Sequence, residues 1–111
     1  MTTTPTGVPT GVSRAFLAFG EEAPAHAAAW MQATAALEEA TALDPKTSEL
    51  AYFAVLAALR LEPGIPFHVQ QAKRRGARRD EVISAILIGL QPAGHGVTAC
   101  LPAALDAYDM P

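Results

Sequence analysis

The middle of the chain, residues 43–90, reads LDPKTSELAYFAVLAALRLEPGIPFHVQQAKRRGARRDEVISAILIGL. It contains three apolar segments, each preceded by an acidic residue or a proline and separated from the next by glycine, proline or basic residues. The clearest helix start is Asp44-Pro45, because an aspartate caps a helix and a proline fits its first turn. Pro66 and Asp80 are similar starts, and Gly76 is typical of the residue after a helix end. The predicted helices cover residues 44–61, 67–75 and 80–90.

Helices 44–61 and 80–90 are apolar around most of their circumference. The first carries Leu50, Ala54 and Leu61 on one face and Phe53 and Val55 elsewhere. A helix that is apolar all round is typically a buried helix. We therefore expect these two helices to form the centre of the fold.

Weaker signals surround this central region. Residues 1–12 are rich in Thr, Pro and Gly, which predicts a flexible tail followed by one domain over residues 13–111. Ser13 predicts a helix cap and Gly20 a helix end. Further predicted helices cover residues 14–19, 25–43 and 97–108, the last with Pro102 as an alternative start. No segment alternates with a period of two, so we predict an all-α single-domain bundle of about six helices.

Composition excludes several classes of protein. The chain has 111 residues, 24 of them alanine, and half of the residues are apolar, which is unlike a disordered protein. A net charge of −3 argues against nucleic-acid binding, and no apolar run is long enough to span a membrane. Residues 1–12 do not resemble a signal peptide, and the single cysteine, Cys100, excludes an internal disulfide, so we expect a cytoplasmic protein. Cys100 lies between apolar residues and is expected to be buried and inert.

A basic run begins at Lys73 and continues through Arg79. Lys73, Arg74 and Arg75 fall in the last turn of a predicted helix, where cations interact favourably with the negative end of the helix dipole. This interpretation is favoured over a phosphate-binding patch, which is the alternative.

Three blocks of sequence resemble the carboxymuconolactone decarboxylase and AhpD family. They are LDPKTSEL at residues 43–50, FHVQQAKRRGA at residues 67–77 and RDEVI at residues 79–83. The order and spacing of the blocks carry the resemblance, which covers residues 43–107. It implies an AhpD-like helical fold and a homo-oligomer, either a trimer or a hexamer. An apolar domain this small independently favours burial between subunits.

The family has a thiol peroxidase branch and a decarboxylase branch. In the peroxidase branch a Glu precedes a C-x-x-C pair and a His follows it. The matching Glu and His are Glu49 and His68, whereas the cysteine positions hold Leu61 and Gly64. We therefore predict that the chain is not a thiol peroxidase. The decarboxylase branch also lacks the cysteine pair and keeps the His that matches His68.

Glu49 and His68 are the candidate catalytic residues. His68 lies in the first turn of its predicted helix, where the helix dipole disfavours imidazolium, so the ring is suited to act as a general base. Glu49 lies on a mostly apolar helix, and a carboxylate there requires a hydrogen-bond donor. A Pro/Gly break between the two helices permits the second to fold back over the first, so we predict a hydrogen-bonded pair in an apolar pocket near a subunit interface. In the alternative, Glu49 only favours the dipole and His68 only lies at the surface.

Two functional hypotheses remain open. In the first, the chain is a cofactor-free lyase, isomerase or hydrolase in which His68 moves a proton on a small carbonyl or lactone acid, with Tyr52 or His95 helping to bind the substrate. In the second, it is a non-catalytic oligomeric or ligand-binding member of the family. No H-x-x-x-H or E-x-x-H spacing occurs, so no metal site is predicted.

Overall fold

The computed structural model describes residues 11–111. In this range the regular structure is helical and contains no strand, as predicted. Residues 1–10 of the tail predicted for residues 1–12 lie outside the described residues. In chain order the α-helices are α1 Arg14–Glu22, α2 Pro24–Ala40, α3 Pro45–Ala58, α4 Ile65–Arg74, α5 Arg79–Leu87, α6 Leu90–Ala93 and α7 Leu101–Asp109, with 3₁₀ turns at Glu62–Gly64 and His95–Cys100.

The core lies between α3, α4, α5 and α7. Helix α3 packs against α4 and α5, and α7 closes the other side of α4 and α5. The largest fully buried side chains are Phe53, Ile65, Ile86, Val69, Val82, Val97 and Cys100. Of the residues described, no helix is long and apolar enough to cross a membrane.

Several helix ends form as the sequence predicts. The Ser13 hydroxyl accepts a hydrogen bond from the backbone N–H of Phe16 at 3.1 Å and caps α1. Asp44 accepts from the N–H of Thr47 at 2.9 Å and caps α3. Gly76 follows α4 with a φ of +90°, a conformation that other residues rarely adopt. These local contacts set the positions at which the chain turns.

Other predicted ends are wrong. Helix α1 continues through Gly20 to Glu22, because an exposed glycine weakens a helix by only about 1 kcal/mol and does not by itself end it. Helix α2 ends at Ala40 and not at residue 43. The last helix does not start at residue 97: residues 95–100 form a tighter 3₁₀ turn, and α7 begins at Leu101, with Pro102 in its first turn. Proline needs no hydrogen-bond partner there.

The expectation that the central helices are buried on all sides is wrong within the single chain. In α3 only Phe53 and Ala57 are fully buried, whereas the exposed fraction of Val55 is 57% and that of Leu59 is 62%. In the adjoining segment after α5, Ile88 is 72% exposed. One side of α3 therefore packs into the core, and a second apolar side faces outward.

The basic run holds the end of α7 in place. The ammonium of Lys73 donates to the backbone carbonyls of Tyr108 and Met110, at 2.7 and 2.8 Å. Arg79 forms a two-pronged ion pair with Asp109, and the Tyr108 hydroxyl donates to the carbonyl of Ala77. Lys73 was predicted to interact with the carboxyl end of its own helix, α4. Its ammonium also binds the carboxyl end of α7.

Candidate active site

Glu49 and His68 meet where α4 folds back over α3. Glu49 lies in the amino-terminal half of α3, His68 is the fourth residue of α4, and the turn Glu62–Gly64 reverses the chain between them. The Nδ1 atom of His68 lies 2.9 Å from Oε2 of Glu49. The structure therefore places the two candidate catalytic residues in a direct hydrogen bond across 19 residues of sequence.

The hydrogen bond determines which ring nitrogen is available for chemistry. An ionised carboxylate can only accept, so Nδ1 of His68 carries the proton and donates it to Glu49. In the neutral ring Nε2 then holds the lone pair, and within residues 11–111 it makes no hydrogen bond. This arrangement leaves Nε2 as the basic atom.

Both side chains of the pair are part-buried. The exposed fraction is 22% for the His68 side chain and 17% for that of Glu49. A part of each side chain is therefore in contact with solvent. The apolar pocket predicted around both residues stays a prediction.

Aromatic rings hold the imidazole on two sides. The ring of Tyr52 is stacked on that of His68, with centroids 3.9 Å apart and planes 21° apart. Phe67 meets the same imidazole edge-on at 5.2 Å. Tyr52 lies one helical turn after Glu49, so one face of α3 presents both the hydrogen-bond acceptor and the stacking ring. The stacking partner was predicted only as a substrate-binding residue.

Leu61 and Gly64 occupy the two positions that correspond to the cysteine pair of the peroxidase branch. Leu61 is about half exposed, and Gly64 lies against the side chain of Leu56. A β-carbon at position 64 would lie 3.2 Å from Cδ1 of Leu56, which is a tight contact. The turn between α3 and α4 therefore carries no thiol at either position.

His95 lies outside this cluster. It is exposed at the start of the 3₁₀ turn, and its carbonyl accepts a hydrogen bond from the Thr98 hydroxyl. In the part of the chain that the structure describes, no hydrogen bond or ring contact joins His95 to His68. The guanidinium of Arg60 lies against the next residue, Gly96. The backbone of Arg60 has a left-handed φ of +59°. A substrate-binding role for His95 stays a prediction.

Cys100 is fully buried, as predicted. Burial raises the pKa of its thiol above the usual value of 9.0, and the negative charge of Glu62 raises it further. Because the thiolate is the reactive form, this cysteine is poorly suited to nucleophilic or redox chemistry.

A separate open cavity of about 550 Å³ lies between α3 and α5. Neither Glu49 nor His68 lines it. We call it the α3–α5 groove. Its apolar floor is Leu50, Ala51, Ala54, Ala85 and Ile88, and its polar rim is Thr47, Arg78, Asp80, Glu81 and Ser84. The groove was not predicted from the sequence, although Leu50 and Ala54 were placed together on one apolar face of this helix.

A family model matches most of the chain. The model of the carboxymuconolactone decarboxylase family matches residues 24–107, from the start of α2 to the end of the core. The match includes Glu49 and His68, and it extends beyond the resemblance seen in residues 43–107 to include α2. No curated protein and no solved structure gives a significant match. No group of three His, Cys, Asp or Glu residues within residues 11–111 is placed to hold a metal ion.

Proposed function

The chain belongs to the carboxymuconolactone decarboxylase family, and from this premise we propose that it is a cofactor-free enzyme in which His68 is the general base. The substrate class is a small carbonyl or lactone acid. The observation that carries the proposal is the 2.9 Å hydrogen bond between His68 and Glu49. A buried or half-buried carboxylate that holds a histidine by Nδ1 is a common way to fix the tautomer of a catalytic imidazole.

The reaction begins with proton transfer to Nε2. A carbon next to a carbonyl or lactone group gives up its proton to Nε2 of His68, and the electron pair moves into the carbonyl as an enolate. The ring is then an imidazolium, and the carboxylate of Glu49, 2.9 Å from Nδ1, stabilises that charge. In a lactone acid, Nε2 instead takes the proton of the carboxyl group, the carboxylate leaves as carbon dioxide while its bonding electron pair passes into the conjugated carbonyl as an enolate, and the imidazolium returns the proton to carbon.

Tyr52 and Phe67 support this chemistry by limiting the motion of the imidazole. The stacked ring of Tyr52 opposes tilting, and the edge contact of Phe67 opposes rotation about the side-chain bonds. Because small errors in the position of a base cost large factors in rate, such packing is a requirement of general-base catalysis. Tyr52 is half exposed, so its free face is also available to a substrate.

A panel of small acids tests the proposal. Muconolactone carboxylates and small β-keto acids are incubated with the native chain, and carbon dioxide release and ultraviolet absorbance are followed. We expect turnover of at least one compound, loss of turnover in His68→Ala, and a smaller reduction in Glu49→Gln. The matched control is Glu39→Gln, because Glu39 is an exposed carboxylate on α2.

Two results would contradict the proposal. One is turnover that survives His68→Ala at the native rate. The other is binding of a panel compound, measured by calorimetry, without any turnover by the native chain. The second result would favour the non-catalytic, ligand-binding alternative.

A further inference from the structure

Helix α2 is exposed along its whole length. None of its 17 residues is buried, and it packs against α1 without extensive contact to any other helix within residues 11–111. Its apolar side chains face outward: Trp30 is 58% exposed, Met31 50% and Leu37 70%. Residues 24–37 contain no Asp, Glu, Lys or Arg, so this exposed surface also lacks charge.

Such a helix requires a partner. An isolated helix of this length is only marginally stable in water, because most helical stability in proteins comes from packing of an apolar face. Contiguous exposed apolar surface generally marks an interface. Helix α2 also lies within the matched family region, so it belongs to the folded domain.

The α3–α5 groove is the complementary surface. Three of the five residues on its floor are alanines, which allow the axis of another helix to approach closely. Charges on its rim are already paired: Glu81 with Lys46 at 3.0 Å, and Arg78 with Asp80 at 3.0 Å. A rim neutralised in this way fits an uncharged apolar helix better than a charged one.

We propose that α2 of one copy of this chain lies in the α3–α5 groove of a second copy. Both surfaces belong to the same chain, and each is apolar and unpartnered within it. The contact would cover Leu50, Ala51 and Ala54, the apolar side of α3 that lines the groove.

The area of the contact is sufficient for a stable assembly. A 17-residue helix is about 25 Å long and about 10 Å wide, so covering half of its surface removes roughly 400 Å² from water. In a two-fold dimer, in which each copy inserts its own α2 into its partner and receives the partner's α2 in return, each copy loses about 800 Å² in one interface. This equals the share of each partner in a standard stable interface.

Site-directed cross-linking between two differently labelled chains tests the contact. One chain carries Leu37→Cys and the other Ile88→Cys, and both carry Cys100→Ala so that no native thiol reacts. The two chains are unfolded, mixed, refolded together and treated with a short bismaleimide. We expect a cross-linked product of two chains. In the control, Glu39→Cys replaces Leu37→Cys, because Glu39 lies on the opposite side of α2, and that product should be lost.

Mass measurements provide the second readout. Light scattering should give the native chain at a multiple of 11.6 kDa. The double variant Trp30→Ser, Leu37→Ser should shift toward the monomer, whereas Ala28→Ser, Ala35→Ser on the opposite side should not. Circular dichroism tests whether each variant is folded. If the double variant is unfolded, the cross-linking experiment still tests the contact.

Three results would overturn the proposal. The first is a native chain that is monomeric at micromolar concentration. The second is an oligomer in which Leu37→Cys and Ile88→Cys chains do not cross-link better than the Glu39→Cys control, which would place the interface elsewhere. The third is a cross-link within one chain that carries both Leu37→Cys and Ile88→Cys, which would show that α2 covers its own groove.

Discussion

The ring of Tyr52 lies nearly parallel to the imidazole of His68, with the ring centroids 3.9 Å apart. This contact is made by a residue one turn after the carboxylate that binds the same imidazole. Tyr52 therefore holds the imidazole of the proposed base, His68, in place, in addition to any contact that it makes with a substrate.

Removal of the stacking ring should be visible by NMR spectroscopy without any substrate. A stacked aromatic ring shifts the carbon-bound protons of its neighbour upfield, so Tyr52→Ala should move the His68 ring protons downfield, and Tyr52→Phe should not. Because aromatic pairs contribute about 0.5–1.5 kcal/mol, Tyr52→Ala should also lower the free energy of unfolding by about 1 kcal/mol. Unchanged His68 resonances in Tyr52→Ala would contradict the stacked geometry.

Replacement of Glu49 should change the tautomer of His68. In the native chain the carboxylate accepts from Nδ1, so at a pH where the ring is neutral the proton should reside on Nδ1. In Glu49→Ala that acceptor is absent, and we expect the population with the proton on Nε2 to rise. Two-bond ¹H–¹⁵N correlation spectra distinguish the two tautomers. His26 provides an internal reference, and a native His68 protonated mainly on Nε2 would be inconsistent with the structure.

Cys100 should react slowly in the folded chain. Its side chain is fully buried, and burial, together with the charge of Glu62, raises the pKa of the thiol. At pH 8 we expect alkylation by iodoacetamide, followed by mass spectrometry, to be much slower in buffer than in concentrated urea. Equal rates in the two solvents would show that the thiol is accessible in the native state.

The ion pair between Arg79 and Asp109 should make stability depend on pH in the acidic range. The hydrogen bond from Arg79 lowers the pKa of Asp109 below its ordinary value of 3.8. A carboxyl group whose pKa is lower in the folded state stabilises the fold above the unfolded-state value and loses that contribution as pH falls through the folded-state value. Asp109→Asn should therefore reduce stability at pH 7 and weaken its dependence on pH below about 4.

Urea unfolding at pH 7 and pH 3 measures this effect. The matched control is Asp106→Asn, which changes another exposed aspartate of α7 that makes no ion pair within residues 11–111. An Asp109→Asn variant whose stability responds to acid as strongly as that of the native chain would contradict the prediction.

Capping signals in the sequence predict where helices begin and end, but they do not predict which parts of the chain pack against those helices. Ser13, Asp44 and Gly76 act as the sequence indicates because each satisfies backbone groups within a few residues. Gly20 does not end α1, since a glycine ends a helix only where the chain after it turns away. The 3₁₀ turn at residues 95–100 was missed because its conformation depends on packing against the core, where Val97 and Cys100 are buried.

The candidate site was predictable in part. The hydrogen bond between Glu49 and His68 follows from two helices joined by a short turn, together with the need of a carboxylate on an apolar helix for a donor. The stack with Tyr52 and the degree of burial of the pair were not predictable, because both depend on side-chain directions and on tertiary packing. The outward exposure of Val55 and Leu59 on α3 was not predictable for the same reason.

The attachment of α7 has a consequence for the order of folding. Lys73 binds a carbonyl 35 residues further along the chain, Arg79 binds Asp109 across 30 residues, and Tyr108 binds Ala77 across 31. Contacts between such distant residues form only after a large loop has closed, whereas the turn that joins α3 to α4 forms locally. We therefore expect the ties of α7 to close late. Weakening them should accelerate unfolding while leaving the rate of folding nearly unchanged.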